Sequence, residues 1–142
     1  MGDPGTGKTC FAAGMIDYMI RNSFPWSDNP KFRSWRYWKE YDFFEKIKGS
    51  FVLDGDHMTT LKSMTDDDVM FYDDMKIPTD WRYGQIESMV DIRYCSMRPT
   101  IMTTNFTRNE IFSLYGKATG DRMFSKENMI IDTHGQASHR QE

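Results

Sequence analysis

The chain begins with its most constraining feature, the octapeptide Gly2-Asp3-Pro4-Gly5-Thr6-Gly7-Lys8-Thr9, which fits the pattern G-x-x-x-x-G-K-[ST]. That spacing describes a phosphate-binding loop. Glycines let backbone amides turn toward a phosphate, the lysine neutralises β/γ charge, the threonine offers a hydroxyl to Mg²⁺, and the following helix adds its positive end. The expected phosphate-binding stretch is therefore Gly2, Asp3, Pro4, Gly5, Thr6, Gly7, Lys8, Thr9 and Cys10. Its cofactors would be ATP and Mg²⁺. Such a loop normally follows a buried strand, yet only Met1 precedes Gly2. The chain is thus expected to be N-terminally short, lacking the first strand of its sheet.

The remaining sequence reads as one α/β unit. Residues 8–21 place Phe11, Met15, Tyr18 and Met19 at helical spacing, and Asn22, Ser23 and Pro25 interrupt it. Residues 32–38 read as an aromatic strand and 40–48 as a helix with Tyr41 and Phe44 on one side. An acidic, Thr-rich loop follows. The apolar run 69–72 reads as a buried strand, 80–97 as a helix facing inward with Ile86, Met89 and Val90, and 100–104 as another strand. A helix over 108–115 and a short strand over 129–132 complete the pattern. Strands alternating with helices imply a parallel sheet covered on both faces, in a single domain spanning residues 1–142.

Composition narrows the class without deciding the function. Leu, Ile, Val and Phe are only 26 of 142 residues, but the net charge is -3, and twelve Met, seven Tyr and four Trp supply apolar volume. Cys10 and Cys95 lack the spacing of a zinc site or a disulfide framework. His57, His134 and His139 lack metal spacing as well. No run suits a membrane span or a secretory signal, so a cytoplasmic location is expected.

Two further segments supply partners for the loop. The strand Val69-Met70-Phe71-Tyr72 ends in Asp73-Asp74. Asp73 is the expected metal-binding acid alongside Thr9, and Asp74 the group that orients the attacking water. Read alone, the same residues are a strand end with solvated acids. The strand Thr100-Ile101-Met102-Thr103-Thr104 delivers Asn105 to the edge where ligands collect in open α/β sheets. Asn105 would sense the γ-phosphate or position water, and its bland alternative is a turn residue. In Lys31-Phe32-Arg33-Ser34-Trp35-Arg36-Tyr37-Trp38-Lys39, bases alternate with aromatics. This pattern suits single-stranded DNA, or equally a strand with one aromatic face in the core.

These three motifs, with Gly116, Asp121-Arg122-Met123 and Gly135-Gln136-Ala137-Ser138-His139-Arg140, resemble the AAA+ ATPase domain of DnaC/DnaI-type helicase loaders and the related IstB-like ATP-binding proteins. Arg93, Tyr94, Pro99, Thr100, Thr104 and Asn105 also match the family's pattern around that strand. The resemblance implies a P-loop fold of the AAA+ type, hydrolysis of ATP, and a role in DNA replication beside a replicative helicase. It implies a catalytic set of Lys8, Asp74, Asn105 and Arg122, with Arg122 as an arginine finger completing the site of a neighbouring copy in a homo-oligomer. Arg140 would be a tail arginine. Asp74 stands where many such proteins have Glu, which implies slow turnover. The alternatives are an ATP-dependent transposition helper, a small-molecule kinase, or a nucleotide-binding remnant that does not hydrolyse.

Overall fold

The computed structural model describes residues 1–23, 34–52 and 56–138. The elements run α1 (Lys8–Ser23), β1 (Trp35–Lys39), α2 (Glu40–Val52), α3 (His57–Met64), β2 (Val69–Met75), α4 (Asp80–Cys95), β3 (Thr100–Thr104) and α5 (Arg108–Met123). The three strands form one parallel sheet in the order β1-β2-β3. Parallel strands need long crossovers, which α2, α3 and α4 provide on one face of the sheet, while α1 covers the other.

Strand β2 lies in the middle and is buried except at Asp74. Side chains alternate across a strand, so Met70 and Tyr72 enter one core and Val69 and Phe71 the other. The larger core gathers Phe43, Phe44 and Ile47 of α2, Leu61 and Met64 of α3, and Ile86 and Met89 of α4. Aromatic edges stiffen it, with Phe43 packed edge-on against Tyr72 at 5.3 Å between ring centres. The smaller core lies under α1, where Ala12, Met15, Ile16 and Met19 meet Val69, Phe71, Tyr37 and Ile101.

Several sequence expectations change in detail. The buried stripe of α1 is Ala12, Met15, Ile16 and Met19, whereas Phe11 and Tyr18 are exposed. On α2, Phe44 is buried while Tyr41 is exposed. The stretch expected to be a Thr-rich loop contains α3, whose first turn is capped by Asp56 accepting from the Met58 amide at 3.0 Å and the Thr59 hydroxyl at 2.7 Å. Leu61 and Met64 anchor it. The helix expected over 108–115 forms and ends at Gly116, whose φ 74 and ψ 168 are not helical and kink the chain, and a further helical stretch then runs on to Met123. The expected strand over residues 32–38 forms at Trp35–Lys39, and Phe32 and Arg33 lie outside the described residues.

Residues 129–132 do not form the expected strand. Nearby, the Met1 amine donates to the Ile131 carbonyl at 2.7 Å, and the Thr133 amide donates to the Met1 carbonyl at 3.0 Å. On its other side the Gly2 amide reaches the Thr104 carbonyl of β3 at 3.2 Å. Met1 and Gly2 thus lie between β3 and residues 131–133, beside the sheet edge where a strand leading into the loop would sit. One or two residues of pairing are too few to order a ladder along 129–132.

The sheet's entry side is organised by Arg93, which is 1% exposed. Its five donors are all used. Nε donates to the Thr100 hydroxyl at 2.6 Å, one terminal nitrogen to the Thr65 and Asp67 carbonyls at 2.7 Å each, and the other to those of Asp68 and Pro99 at 3.3 and 2.6 Å. Burial, then the neighbouring Arg98 charge, pushes its pKa down to about 10, so it stays cationic at neutral pH. One side chain thereby fixes where β2 and β3 begin. Replacing Arg93 with Met should cost about 3 to 5 kcal/mol by stranding those carbonyls, and Lys should rescue little because an ammonium cannot reproduce the planar fork. Arg98→Ala, which removes a partly exposed pair with Asp66, should cost no more than about 1 kcal/mol. Urea unfolding of the three variants measures the difference.

Candidate nucleotide site

The loop and the first turn of α1 lie over the C-terminal edge of β2. Gly5 and Gly7 hold φ of 85 and 81, backbone that side chains resist, and this lets the loop curl before the helix begins at Lys8. The Lys8 ammonium donates to the carbonyls of Gly2 and Asp3 at 2.7 Å each, arching across the loop. The Thr6 hydroxyl donates to the Asp3 carbonyl at 2.8 Å and closes the turn. Cys10 is exposed on the first turn.

Alternation along β2 sends Asp73 to the same face as Val69 and Phe71, which is the face under α1. There the Thr9 hydroxyl is shared between the two carboxylate oxygens at 3.1 and 3.2 Å. The two residues expected to hold a metal therefore meet across 64 positions of sequence. Asp73 is 4% exposed and also accepts from the Tyr37 phenol at 2.6 Å and the Thr103 hydroxyl at 2.5 Å.

The next residue behaves differently. Pairing between β2 and β3 slips between Tyr72 and Met75, and Asp74 adopts φ 66, which costs a non-glycine residue of order 1 kcal/mol. The Thr103 hydroxyl accepts the Asp74 amide at 2.9 Å and holds this irregularity. The side chain of Asp74 points outward and pairs with Lys76 at 3.2 Å. Asn105 follows Thr104 at the end of β3 and is exposed. Its backbone carbonyl meets the His134 ring.

Arg122 does not join this cluster. It lies on α5 and pairs with Asp91 of α4 at 2.7 Å. Arg140 lies outside the described residues.

Sequence reasoning missed the segment that packs against the loop. Thr133 and Thr6 share a hydrogen bond of 2.8 Å between their hydroxyls, and the Gly135 amide donates to the Asp3 carboxylate at 2.7 Å. A Cβ on Gly2 would come within 1.9 Å of the Thr133 hydroxyl, so glycine is required for the close approach. His134 sits between Asp132, at 2.5 Å from Nδ1, and the Asn105 carbonyl, at 3.1 Å from Nε2. The run Asp132-Thr133-His134-Gly135 has a turn-like composition, but no local signal indicates that it would meet the loop.

The donor set suits a hard cation. A hydroxyl and a carboxylate are oxygen ligands, and magnesium on phosphates needs only one or two protein groups. Among the described residues no cluster of three His, Cys, Asp or Glu forms an all-protein metal cage. The helix N-terminus and curled glycine loop meet the requirements of a phosphate cradle.

A three-stranded parallel sheet covered by helices, with this loop at its C-terminal edge, is an α/β fold of the P-loop type, the fold it shares with the DnaC helicase loader and DnaA. The structure superposes on the crystal structure of the DnaC helicase loader with a TM-score of 0.73 and 20% identity, covering 94% of this chain and 74% of that one. AMPPCP-bound DnaA from Aquifex aeolicus matches with a TM-score of 0.66 and 14% identity, over 93% of this chain and 38% of that one. In sequence, the replicative helicase loader DnaC of Escherichia coli K12 is 28% identical over 125 residues, which are 86% of this chain and 47% of the relative. The uncharacterized protein YqaM of Bacillus subtilis is 26% identical over 131 residues, 87% of this chain and 38% of the relative. The chain spans less than half the length of these curated relatives. No protein-family model matches it.

The hydrogen bond to the Asn105 carbonyl, followed by that to Asp132, raises the pKa of His134. A raised folded-state pKa means that protonation of His134 stabilises the fold fully below the ordinary value of about 6.5, and that this contribution disappears as pH rises through the raised value. The advantage of the native chain over His134→Ala in thermal melting should therefore be largest near about pH 6 and shrink steadily above neutrality.

Proposed function

We propose that this chain is an ATP-binding, Mg²⁺-dependent ATPase module that acts in DNA replication as a helicase-loader-like factor. The observation that carries the reading is the meeting of Thr9 with Asp73 beneath a curled loop that ends in Lys8. Similarity to the DnaC loader and the fold shared with DnaA support the replication context. That one of these neighbours was solved with AMPPCP supports a nucleotide as ligand.

In this reading the amides of the loop and first turn bind the phosphates, and Lys8 exchanges its two carbonyl contacts for phosphate oxygens. Thr9 and Asp73 hold Mg²⁺, which neutralises charge on the β- and γ-phosphates when bound. Asp74 and Asn105 orient water. The shorter reach of Asp compared with Glu, and the pair with Lys76, favour slow hydrolysis. Arg122 serves a neighbouring copy in a homo-oligomer, for which its partly exposed pair with Asp91 must open at a cost of about 1 kcal/mol or less. The partner is a replicative helicase. Single-stranded DNA would use the exposed Trp35, since Tyr37 and Trp38 pack against the cores. No helix among the described residues is long and apolar enough to cross a membrane.

Thermal melting with Mg·ATP tests this directly. At a hundredfold excess over Kd, ligand should add about 2.7 kcal/mol of stability to the native chain. Lys8→Ala should fold but gain almost nothing, and Asp73→Asn should lose the magnesium-dependent part of the gain. A native chain unmoved by Mg·ATP would refute the nucleotide site.

A further inference from the structure

The sheet places Asp73 in a row of side chains facing α1. On that face Tyr37, Phe71 and Ile101 are register neighbours, and in the next row Lys39 pairs with Asp73, where the pairing of β2 with β3 slips. Across that slip Thr103 of β3 still reaches Asp73 and donates to Oδ1 at 2.5 Å. Tyr37 belongs to the row below on the β1 side, but its ring is long enough for the phenol to reach Oδ2 at 2.6 Å. A carboxylate only accepts, and each of its oxygens here takes one short bond from a flanking strand. The bond from Thr9 differs. It is long and divided between both oxygens, so it can be released without disturbing the other two.

We propose that Tyr37 and Thr103 are positioning residues that clamp the Asp73 carboxylate from its two neighbouring strands, fixing its orientation toward Thr9 and the cation. This rests on the nucleotide-site reading above and adds to it a residue from the aromatic strand that no motif assigns. The clamp lowers the cost of metal binding because the carboxylate arrives already oriented, while Thr9 remains able to turn from Asp73 to the cation. Tyr37 is suited to the role because its ring is seated in the smaller core with Phe71 and Ala12, which removes the ring's rotational freedom before any ligand arrives.

Tyr37→Phe removes the hydroxyl and keeps the packed ring. Titration with Mn²⁺, followed by electron paramagnetic resonance in the presence of saturating ATP, should show about tenfold weaker cation affinity than the native chain. Binding of a fluorescent ATP analogue in EDTA should be unchanged, which also shows that the variant is folded. If Tyr37→Phe does not fold, Thr103→Ser and Thr103→Val provide the same comparison, with Ser matching the native cation affinity and Val weaker by about tenfold. Equal cation affinity in native and hydroxyl-deleted chains overturns the clamp. So does an equal loss of nucleotide affinity with and without the cation, because that is the mark of a purely structural role. A native chain that binds no ATP in either condition instead refutes the nucleotide site, and the clamp with it.

Discussion

The carboxylate of Asp73 is the point at which the first turn of α1 and all three strands of the sheet meet. It sits at the end of a strand buried on both sides, where water cannot satisfy it, so the protein must supply donors. Thr9, Tyr37 and Thr103 do so from α1, β1 and β3. A polar group buried in this way specifies register as well as chemistry. Shifting β1 or β3 by one residue would turn Tyr37 or Thr103 to the opposite face and leave the carboxylate short of a partner. The same contacts that would ready a metal ligand therefore pin the sheet.

Arg93 does comparable work at the other end of β2. Four donors of one rigid fork gather carbonyls from the α3–β2 connection and from the turn into β3, and the fifth holds the Thr100 hydroxyl. The two polar centres bracket the apolar strand and set where it starts and stops. Between them the core mixes methionine and aromatic rings with branched aliphatics such as Ile47, Leu61 and Ile86. Directional hydrogen bonds at the strand ends add to the definition that this packing provides.

The irregularity at Asp74 has a physical logic within this frame. If β2 remained regular, Asp74 would follow alternation onto the face of the larger core, among Tyr72 and Met75. The slipped register and positive φ turn it outward instead, where Lys76 meets it. The strain is held by the Thr103 hydroxyl, which serves both acids, donating to one and accepting from the amide of the other. Tight coupling of this kind explains why two adjacent, chemically identical residues have such different surroundings.

Much of this was legible in the letters. The loop spacing, the buried run ending in acids and the strand leading to Asn105 are local patterns, and local patterns follow from the periods of strand and helix. Where rings and small residues competed for the inner face of α1, pattern alone favoured Phe11 and Tyr18, and packing chose Ala12 and Ile16. The helix capped by Asp56 was hidden by threonines that disfavour helices in isolation and are overruled by burial of Leu61 and Met64. The sequence by itself determined which residues stand in the pattern of a phosphate-binding loop and of a buried strand ending in acids, since such patterns belong to residue type and short spacing. Only the tertiary structure decided that Tyr37 and Thr103 hold Asp73, that residues 132–135 press on the loop, and that Arg122 rests on Asp91. Each of these depends on register and packing between segments distant along the chain or on separate helices, and no local period encodes such a relation.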